Sequence, residues 1–491
     1  MPHPHLTRSL FWLTLSEIIF NLSGYVIHAG VGRILGPEGY GRYTLVITLT
    51  TVIIILIGNG IPTAMAKYIS ELTVEKAPLI LLIKKYAIRL QFLTMGVITV
   101  IFFLLSPFIA KILHDDTLTP LFRLSSLIIP SFAAASFYFY YFTGLHKFGV
   151  QSTLKIVRSI ARVVLIVGLA YFFSVEGTIA GYVIAPLVVF AIAFAIDASI
   201  LRKDLHTHHP VQERFDWKKL VGFAWPITLF MLFYEFLISI DLYLVKALLH
   251  DDYLTGIYNA AITVARIPYY LFYALTIVLF PTISRATANN DHARTSSVVC
   301  DALRAQLLLL TPAVALIILF AQPLIVFFYG ARYADAAPSL AILAAGTAFL
   351  TVFYILSFVF NGAGRIKIPM LLSGMGLVVN ILLSVVLIPR DGIAGAALAT
   401  TIASFLVMVV ILFFTRKHFP FSLGAKSIAR VLLATALMTI VLLFLPLRES
   451  GLWFILWSSC GGAFYIILLA FFGEITRDDY ARISSIFPRR S

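Results

Sequence analysis

Residues 10–66 read LFWLTLSEIIFNLSGYVIHAGVGRILGPEGYGRYTLVITLTTVIIILIGNGIPTAMA, two long apolar runs separated by a short stretch that carries Arg33, Glu38 and Arg42. A helix needs about 20 residues to cross the hydrocarbon core of a bilayer, where no backbone polar group can be left without a partner. The run 43–66 meets that length without a charge, and the run 10–32 meets it with one carboxylate, Glu17, inside. Between them LGPEGYG at 35–41 supplies glycines that permit positive φ and close approach. No strand precedes it, so it is not a dinucleotide fingerprint. The stretch reads as two membrane-crossing helices joined by a tight turn.

Further charge-free runs of sufficient length follow at 90–110, 124–145, 177–196, 305–331, 336–364, 368–389, 392–415 and 450–473, with a slightly short one at 431–447. Three more spans need an exception: 163–175 is short unless Arg158 and Arg162 snorkel, 220–248 contains Glu235 and Asp241, and 254–284 contains Arg266. Fourteen spans are thus expected, with both ends on one side. Of the 491 residues 60% are hydrophobic and 12% charged, about half the charge of an ordinary soluble domain, which argues against a soluble protein. The formal charge of +14 is too dilute to imply nucleic acid. Cys300 and Cys460 sit in or beside apolar segments, so neither a disulfide framework nor a cysteine metal site is expected. The first run has no small-residue cleavage site after a clean apolar core, and the N-terminus is expected to be retained.

Sidedness follows from the basic residues, which collect on cytoplasmic loops. With a cytoplasmic N-terminus, 28 of the 37 Lys and Arg fall inside, in groups such as Lys84, Lys85, Arg89 and Lys147, Lys155, Arg158, Arg162. Eight fall outside, among them Arg33, Arg42, Lys111, Arg123 and Lys246, and Arg266 alone stays within the membrane. One missed helix would scramble this alternation.

Offsets of 214–219 residues link the two halves. Tyr43 and Tyr258 differ by 215, Pro62-Thr63 and Pro281-Thr282 by 219, Gly144-Leu-His-Lys147 and Gly362-Ala-Gly-Arg365 by 218, and Ile179-Ala180-Gly181 and Ile393-Ala394-Gly395 by 214. Six spans per repeat is an even number, so both halves enter from the same side. The expected fold is an all-α polytopic membrane protein of fourteen transmembrane helices: two parallel-repeat six-helix lobes, at 1–201 and 217–418, plus two C-terminal helices within 419–491, which ends in a cytoplasmic tail. Residues 202–216, with His206, His208, His209 and Pro210, form the expected cytoplasmic linker. Its histidines lack a supporting carboxylate arrangement and are read as solvated rather than metal-binding.

Ionisable groups inside a bilayer cost several kcal/mol unless they meet a partner or a wet cavity, which makes them the functional candidates. Glu17, Asn21, Gly24 and His28 follow i, i+4, i+7, i+11 and form one polar stripe on the first span. Such a stripe lines a hydrated cavity, or Glu17 pairs with a neighbouring helix. Arg266 precedes Ile267-Pro268, where proline frees a carbonyl and bends the helix. Its guanidinium either holds a phosphate bidentately or pairs with Glu235 or Glu17. Asp241 carries a coupling proton or cation, or else caps and pairs. No P-loop, zinc motif or extended soluble domain is present to host enzymatic chemistry, so no enzyme activity and no cofactor are expected.

GRILGPEGYGRYTLV at 32–46 and GNGIPTAMAKYIS at 58–70, with FAWPITL at 223–229, ISIDLYLVKALL at 238–249, GIYNAA at 256–261 and VLFPTIS at 278–284, resemble the polysaccharide-transporter branch of the multidrug/oligosaccharidyl-lipid/polysaccharide exporter superfamily. The resemblance runs from about residue 10 to 473. It implies a flippase for lipid-linked oligosaccharide precursors of a surface polysaccharide, working by alternating access in the cytoplasmic membrane as a monomer. Arg266, Arg33, Glu17, Asn21, His28 and Asn259 are then the substrate-binding candidates, with Asp241 and Glu235 for coupling to H+ or Na+. By the same resemblance, residues 431–473 form a groove for the lipid tail. Two rivals belong to the same superfamily: a peptidoglycan lipid II flippase and a cation-coupled multidrug antiporter, the latter normally of twelve spans. A membrane glycosyltransferase would need a large outer loop with catalytic carboxylates, and the outer loops here are short.

Overall fold

A computed structural model of the chain describes residues 4–58, 60–70, 77–198, 229–270, 272, 283, 292–421, 424–444 and 453–474. No strand occurs among them. The helices are α1 (Pro4–Gly58), α2 (Gly60–Ser70), α3 (Ala77–Ile112), α4 (Leu118–Ser125), α5 (Ile128–Gly144), α6 (Phe148–Arg162) and α7 (Gly168–Ile196), then α8 (Ile240–Leu249), α9 (Asp252–Ala265), α10 (His292–Leu319) and α11 (Ala321–Tyr329). They continue with α12 (Ala337–Gly362), α13 (Lys367–His418), α14 (Ala425–Leu443) and α15 (Trp453–Phe471).

Among the described residues, nine helical segments are long and apolar enough to cross a membrane. Three of these nine contain a break inside: at Gly36, at Phe173–Ser174 and at Gly392. The turn expected across 33–42 is therefore much shorter than the charges around it suggest. Only Gly36 leaves the helical region, at φ 68° and ψ 176°, and Pro37, whose fixed φ suits a first helical position, restarts the helix. Large apolar side chains such as Phe92, Leu104, Phe172, Phe413 and Phe471 are exposed along the helices. In water such a surface drives association; against lipid tails it costs nothing. The chain is an all-α polytopic membrane protein.

Backbone conformation carries the internal repeat more clearly than residue identity does. Among the described residues, positive φ occurs at nine positions. Eight of them pair across the chain: Gly36 with His250, His114 with Gly330, His146 with Gly364, and Ser174 with Gly392. The separations are 214, 216, 218 and 218 residues, and only Gly473, beyond α15, is left over. Ser174 (φ 55°, ψ −134°) and Gly392 (φ 58°, ψ −136°) share one conformation. Three residues later the same crowding recurs. A Cβ on Gly177 would lie 2.1 Å from the Leu169 carbonyl oxygen, and one on Gly395 would lie 2.2 Å from that of Leu387. The local register here is thus 218, one helical turn from the 214 of the Ile-Ala-Gly match.

Contacts divide the chain into two compact units, Met1–Ala260 with Ser373–Ala396, and Ala261–Leu372 with Ala397–Ser491. In the first, Ile61, Met65, Ile83, Phe137, Tyr141, Phe142 and Val189 form an apolar core between α2, α3, α5 and α7. In the second, α14 and α15 share a core of Val431, Met438, Leu442, Phe454, Tyr465 and Leu469, and the Tyr465 hydroxyl donates to the Leu308 carbonyl of α10 at 2.8 Å. Glu474 ties the end of α15 to Arg304 (3.3 Å) and Ser427 (2.5 Å). The 202–216 linker with its three histidines and the Pro281-Thr282 pair lie outside the described residues.

One expected boundary moves. The span taken to start after Arg162 belongs to a helix that begins at Phe148 and passes through a π-helical turn, Val163–Val167, into α7. Lys155, Arg158 and Arg162 therefore sit on a packed helix, not in a loop, because aromatic rings of α1 and α5 cover their stems and heads.

Gly177→Ala and Gly395→Ala should each lower thermal stability in detergent, by about 1–3 kcal/mol, because the added methyl meets a carbonyl oxygen. Gly96, with no atom within 4 Å of an added Cβ, serves as the control, and its alanine variant should be neutral or more stable. Equal melting of all three would refute the crowded-turn geometry.

Candidate functional site

Four charged side chains meet at the ends of α3, α8 and α9 and just past Gly36 of α1, the end expected to face outward. Asp115, between α3 and α4, accepts from Lys246 Nζ at 2.9 Å, and the same nitrogen donates to Asp252 Oδ1 at 2.6 Å. Arg42 Nε donates to the other Asp252 oxygen at 2.7 Å. The Lys246 side chain is 4% exposed. Asp251 holds the start of α9 by accepting the Tyr253 and Leu254 amides at 2.7 and 3.1 Å. His114 and His250 close the group edge to face, with ring centroids 4.5 Å apart. Burial alone would raise the Asp115 pKa, but hydrogen bonds from Thr117 and Lys246 and the Lys246 charge outweigh it and hold the carboxyl below its ordinary 3.8.

Beside this cluster two helices touch backbone to backbone. A Cβ on Gly41 would lie 2.2 Å from the Asp252 carbonyl oxygen and 3.0 Å from the Gly256 nitrogen. One on Gly256 would lie 1.9 Å from the Pro37 carbonyl oxygen and 3.1 Å from the Gly41 nitrogen. The two glycines are 215 residues apart, the same offset as Tyr43 and Tyr258, so equivalent positions of the repeat meet each other here.

Below the crossing runs a chain of polar groups. His28 Nδ1 and the Tyr40 hydroxyl are 2.9 Å apart, and Asn259 Nδ2 donates to the same hydroxyl at 3.0 Å. The Tyr43 and Tyr182 hydroxyls lie 2.8 Å apart. Asp241 is buried, accepting the Tyr258 hydroxyl at 2.7 Å and the Leu242 amide at 2.9 Å. Toward the other end of the same stripe Glu17 forms an ion pair with Lys155 of α6, and Asn21 lies half-buried between.

The structure thus brings His28 and Asn259 together through Tyr40 and joins Glu17 to a lysine. Arg33 is exposed on α1, and Glu235 is half-buried on the helix that precedes α8. Arg266 lies in the second unit, half-buried at a break between α9 and Pro268, where its amide still reaches the Ile262 carbonyl at 3.1 Å. Two groups escaped the sequence reading. Lys246 counts in the sequence only among the outer basic residues and Asp115 and Asp252 stand out in no way, since nothing in the order of residues announces a pairing over more than a hundred positions. Lys155, Arg158 and Arg162 looked like cytoplasmic charge, although their i, i+3, i+7 spacing in KIVRSIAR already placed them on one helical face.

An all-α membrane protein with a duplicated helical plan, broken spans and buried polar groups at helix crossings belongs to the class of transporters built from repeats. The chain is a member of the polysaccharide biosynthesis protein family, whose model matches residues 6–287, and of the multidrug/oligosaccharidyl-lipid/polysaccharide exporter superfamily, with the MatE model matching 226–386. It is 25% identical over 440 residues to an uncharacterized membrane protein of Methanocaldococcus jannaschii, covering 84% of this chain and 99% of that one. It is 28% identical over 222 residues to the lipid II flippase MurJ of Thermosipho africanus, 44% of this chain and 46% of that one. A probable low-salt glycan biosynthesis flippase of Haloferax volcanii matches at 28% over 156 residues, 32% and 33% of the two chains. Among solved structures, lipid II flippase MurJ in an inward closed conformation superposes with TM-score 0.76 at 18% identity, over 94% of this chain and 98% of that one. An inward-facing multidrug resistance MATE family transporter gives 0.66 at 14%, over 82% and 98%. At these identities the structural likeness establishes the fold.

Gly256→Ala and Lys246→Met should both open the glycine crossing. A cysteine introduced at Thr44, buried one turn beyond Gly41, should pass from unreactive to reactive toward a membrane-impermeant maleimide in either background; unchanged labelling would remove the cluster's role as a closure. The contribution of Asp115 has a defined pH window. Because its folded pKa is depressed, it is fully present above the ordinary 3.8 and is lost as pH falls through the lower folded value. The Asp115 share of the protection of residues 250–256, read as the difference in intrinsic-rate-corrected amide exchange between wild type and Asp115→Asn, should therefore be flat above about pH 5 and shrink only in stronger acid.

Proposed function

We propose that the protein is a flippase that carries lipid-linked, polyprenyl-pyrophosphate oligosaccharide precursors of a surface polysaccharide across the cytoplasmic membrane by alternating access. It acts as a monomer with both termini cytoplasmic. The observation that carries this reading is the closure around Lys246: helices of the two sequence repeats, 1–201 and 217–418, meet there through ion pairs and a glycine-to-glycine backbone approach. Charged groups that part into water recover hydration, so such a contact can separate and re-form. An apolar core of the same area would lose its burial energy outright.

The transport problem is to move a sugar and diphosphate through hydrocarbon that excludes charge and unpaired hydroxyls. The Tyr40, His28 and Asn259 hydrogen-bonded chain, with Asn21 and Glu17 further along α1, offers groups that replace the headgroup's hydration, and Arg266 and Arg33 supply positive charge. Asp241 and Glu235 are the groups for H+ or Na+ coupling. An inside-negative potential also favours outward movement of an anion, by about 2.3 kcal/mol per charge per 100 mV. The polyprenyl tail stays in membrane lipid, beside the α14–α15 pair, which lies outside both repeats in sequence. A second reading, lipid II as the substrate, is favoured by the MurJ likeness.

Reconstituted protein offered fluorescent lipid-linked oligosaccharide, lipid II and a cationic dye in parallel should move the first. Preference for lipid II selects the second reading, and dye efflux without lipid movement overturns both. Arg266→Ala should reduce transport by about tenfold or more, the scale of a lost charge-assisted hydrogen bond, with membrane insertion intact. Wild-type transport by that variant would remove Arg266 from the headgroup path.

A further inference from the structure

The face of α6 that packs on α1 carries three cations within two helical turns. Lys155 is paired with Glu17 and lies 5.2 Å from the centroid of the Phe20 ring. The Arg158 guanidinium, on a residue only 7% exposed, lies 4.5 Å from the Phe132 centroid, 5.3 Å from Phe20 and 5.6 Å from Phe139. Arg162, one turn on, lies 4.5 Å from Phe20. Arg158 Nε and Arg162 Nη1 are buried and have no hydrogen-bond partner among the described residues, and no described carboxylate is hydrogen-bonded to either guanidinium.

Two guanidinium groups at i and i+4 repel each other, and buried donors left without acceptors are costly, more so when charged. The aromatic rings fix the cations in place by cation–π attraction but accept no N–H hydrogen bonds in their plane. Against three positive charges the cluster holds one carboxylate, so its shortfall is about two negative charges with several acceptor oxygens. Guanidinium groups match phosphate oxygens in charge and in fork geometry.

We propose that Arg158 and Arg162, with Lys155 and Glu17 beside them, form a binding site for a diphosphate group; resting on the flippase reading above, that group is the diphosphate of the lipid-linked substrate. Glu17 is the internal competitor. It occupies Lys155 when the site is empty and yields it when the diphosphate arrives. The same stretch that the sequence presents as cytoplasmic charge is then a headgroup contact in the first unit.

The test measures binding by full-length protein in phosphatidylcholine nanodiscs, with farnesyl diphosphate as the prenyl diphosphate probe and inorganic pyrophosphate and phosphatidylglycerol as the alternative phosphate sources. Wild type should bind farnesyl diphosphate, and Arg162→Gln should weaken it about tenfold or more. Arg162→Lys, which keeps the charge and loses the fork, should fall between them. Glu17→Gln should instead tighten binding, a gain that a loss of folding cannot produce. Unchanged affinity in Arg162→Gln, or weaker binding in Glu17→Gln, overturns the site. Abolition of binding when phosphatidylglycerol is added to the nanodisc overturns the diphosphate assignment in favour of a leaflet phospholipid. Pyrophosphate bound through the same residues supports the assignment. Wild type that moves no lipid-linked sugar yet binds the probe through Arg162 refutes the flippase reading and leaves the site standing. Intact transport with probe binding indifferent to Arg162 does the reverse.

Discussion

Lys246 puts an ammonium group where its side chain is 4% exposed, and a cation so placed without partners costs on the order of several kcal/mol. Two carboxylates must therefore reach it, and they come from different places in the chain: Asp115 from the connection after α3, Asp252 from the first turn of α9. Arg42 in turn balances the second oxygen of Asp252. The four charges cancel; withdrawing a carboxylate leaves the buried Lys246 short of a partner, whereas Arg42, 44% exposed, contributes less. The Gly41 and Gly256 crossing lies beside this group, and its close backbone approach requires that neither residue carry a Cβ.

The opposite balance holds on α6. There the cations outnumber their carboxylate, and aromatic faces of Phe20, Phe132 and Phe139 substitute for solvent without supplying the missing acceptors. A neutral cluster closes a contact; an under-neutralised one waits for an anion. Both are built from ordinary lysines and arginines, and what separates them is the count of carboxylates within reach and how many guanidinium donors are already spent.

That distinction explains how much could be read from the residues in order. Span positions were legible because the bilayer demands long uncharged runs, as in 336–364 against α12. The polar stripe of Glu17, Asn21 and His28 was legible because it needs only helical spacing on one element. The Lys155 partner of Glu17 was not, since the same demand for uncharged runs assigns any stretch with three cations to a loop. Arg42 was seen with its turn, but Asp252 lies 210 residues away, and pairing across such a distance is decided by packing. The order of residues alone leaves Asp241 open between ion coupling and pairing; in the fold its oxygens accept the Tyr258 hydroxyl and the Leu242 amide.

The repeat shows most directly why residue matching stops short. In each of the four positive-φ pairs one member is glycine and the other is not: Gly36 and His250, His114 and Gly330, His146 and Gly364, Ser174 and Gly392. A left-handed backbone at a non-glycine residue costs on the order of 1–3 kcal/mol, yet each of these positions keeps it, because the helix must break there for the chain to continue into its next element. The conformation is imposed by topology and the residue is tolerated. A search for residue matches finds Tyr43 and Tyr258 and brackets His146 and Gly364 within 144–147 and 362–365, but passes over the other three breaks, although all four mark the duplicated architecture at offsets confined to 214–218. For a duplicated membrane chain the shared quantity between the halves is therefore where the helix is interrupted, and the side chain at the interruption is left free to differ, histidine or serine in one half standing where glycine stands in the other.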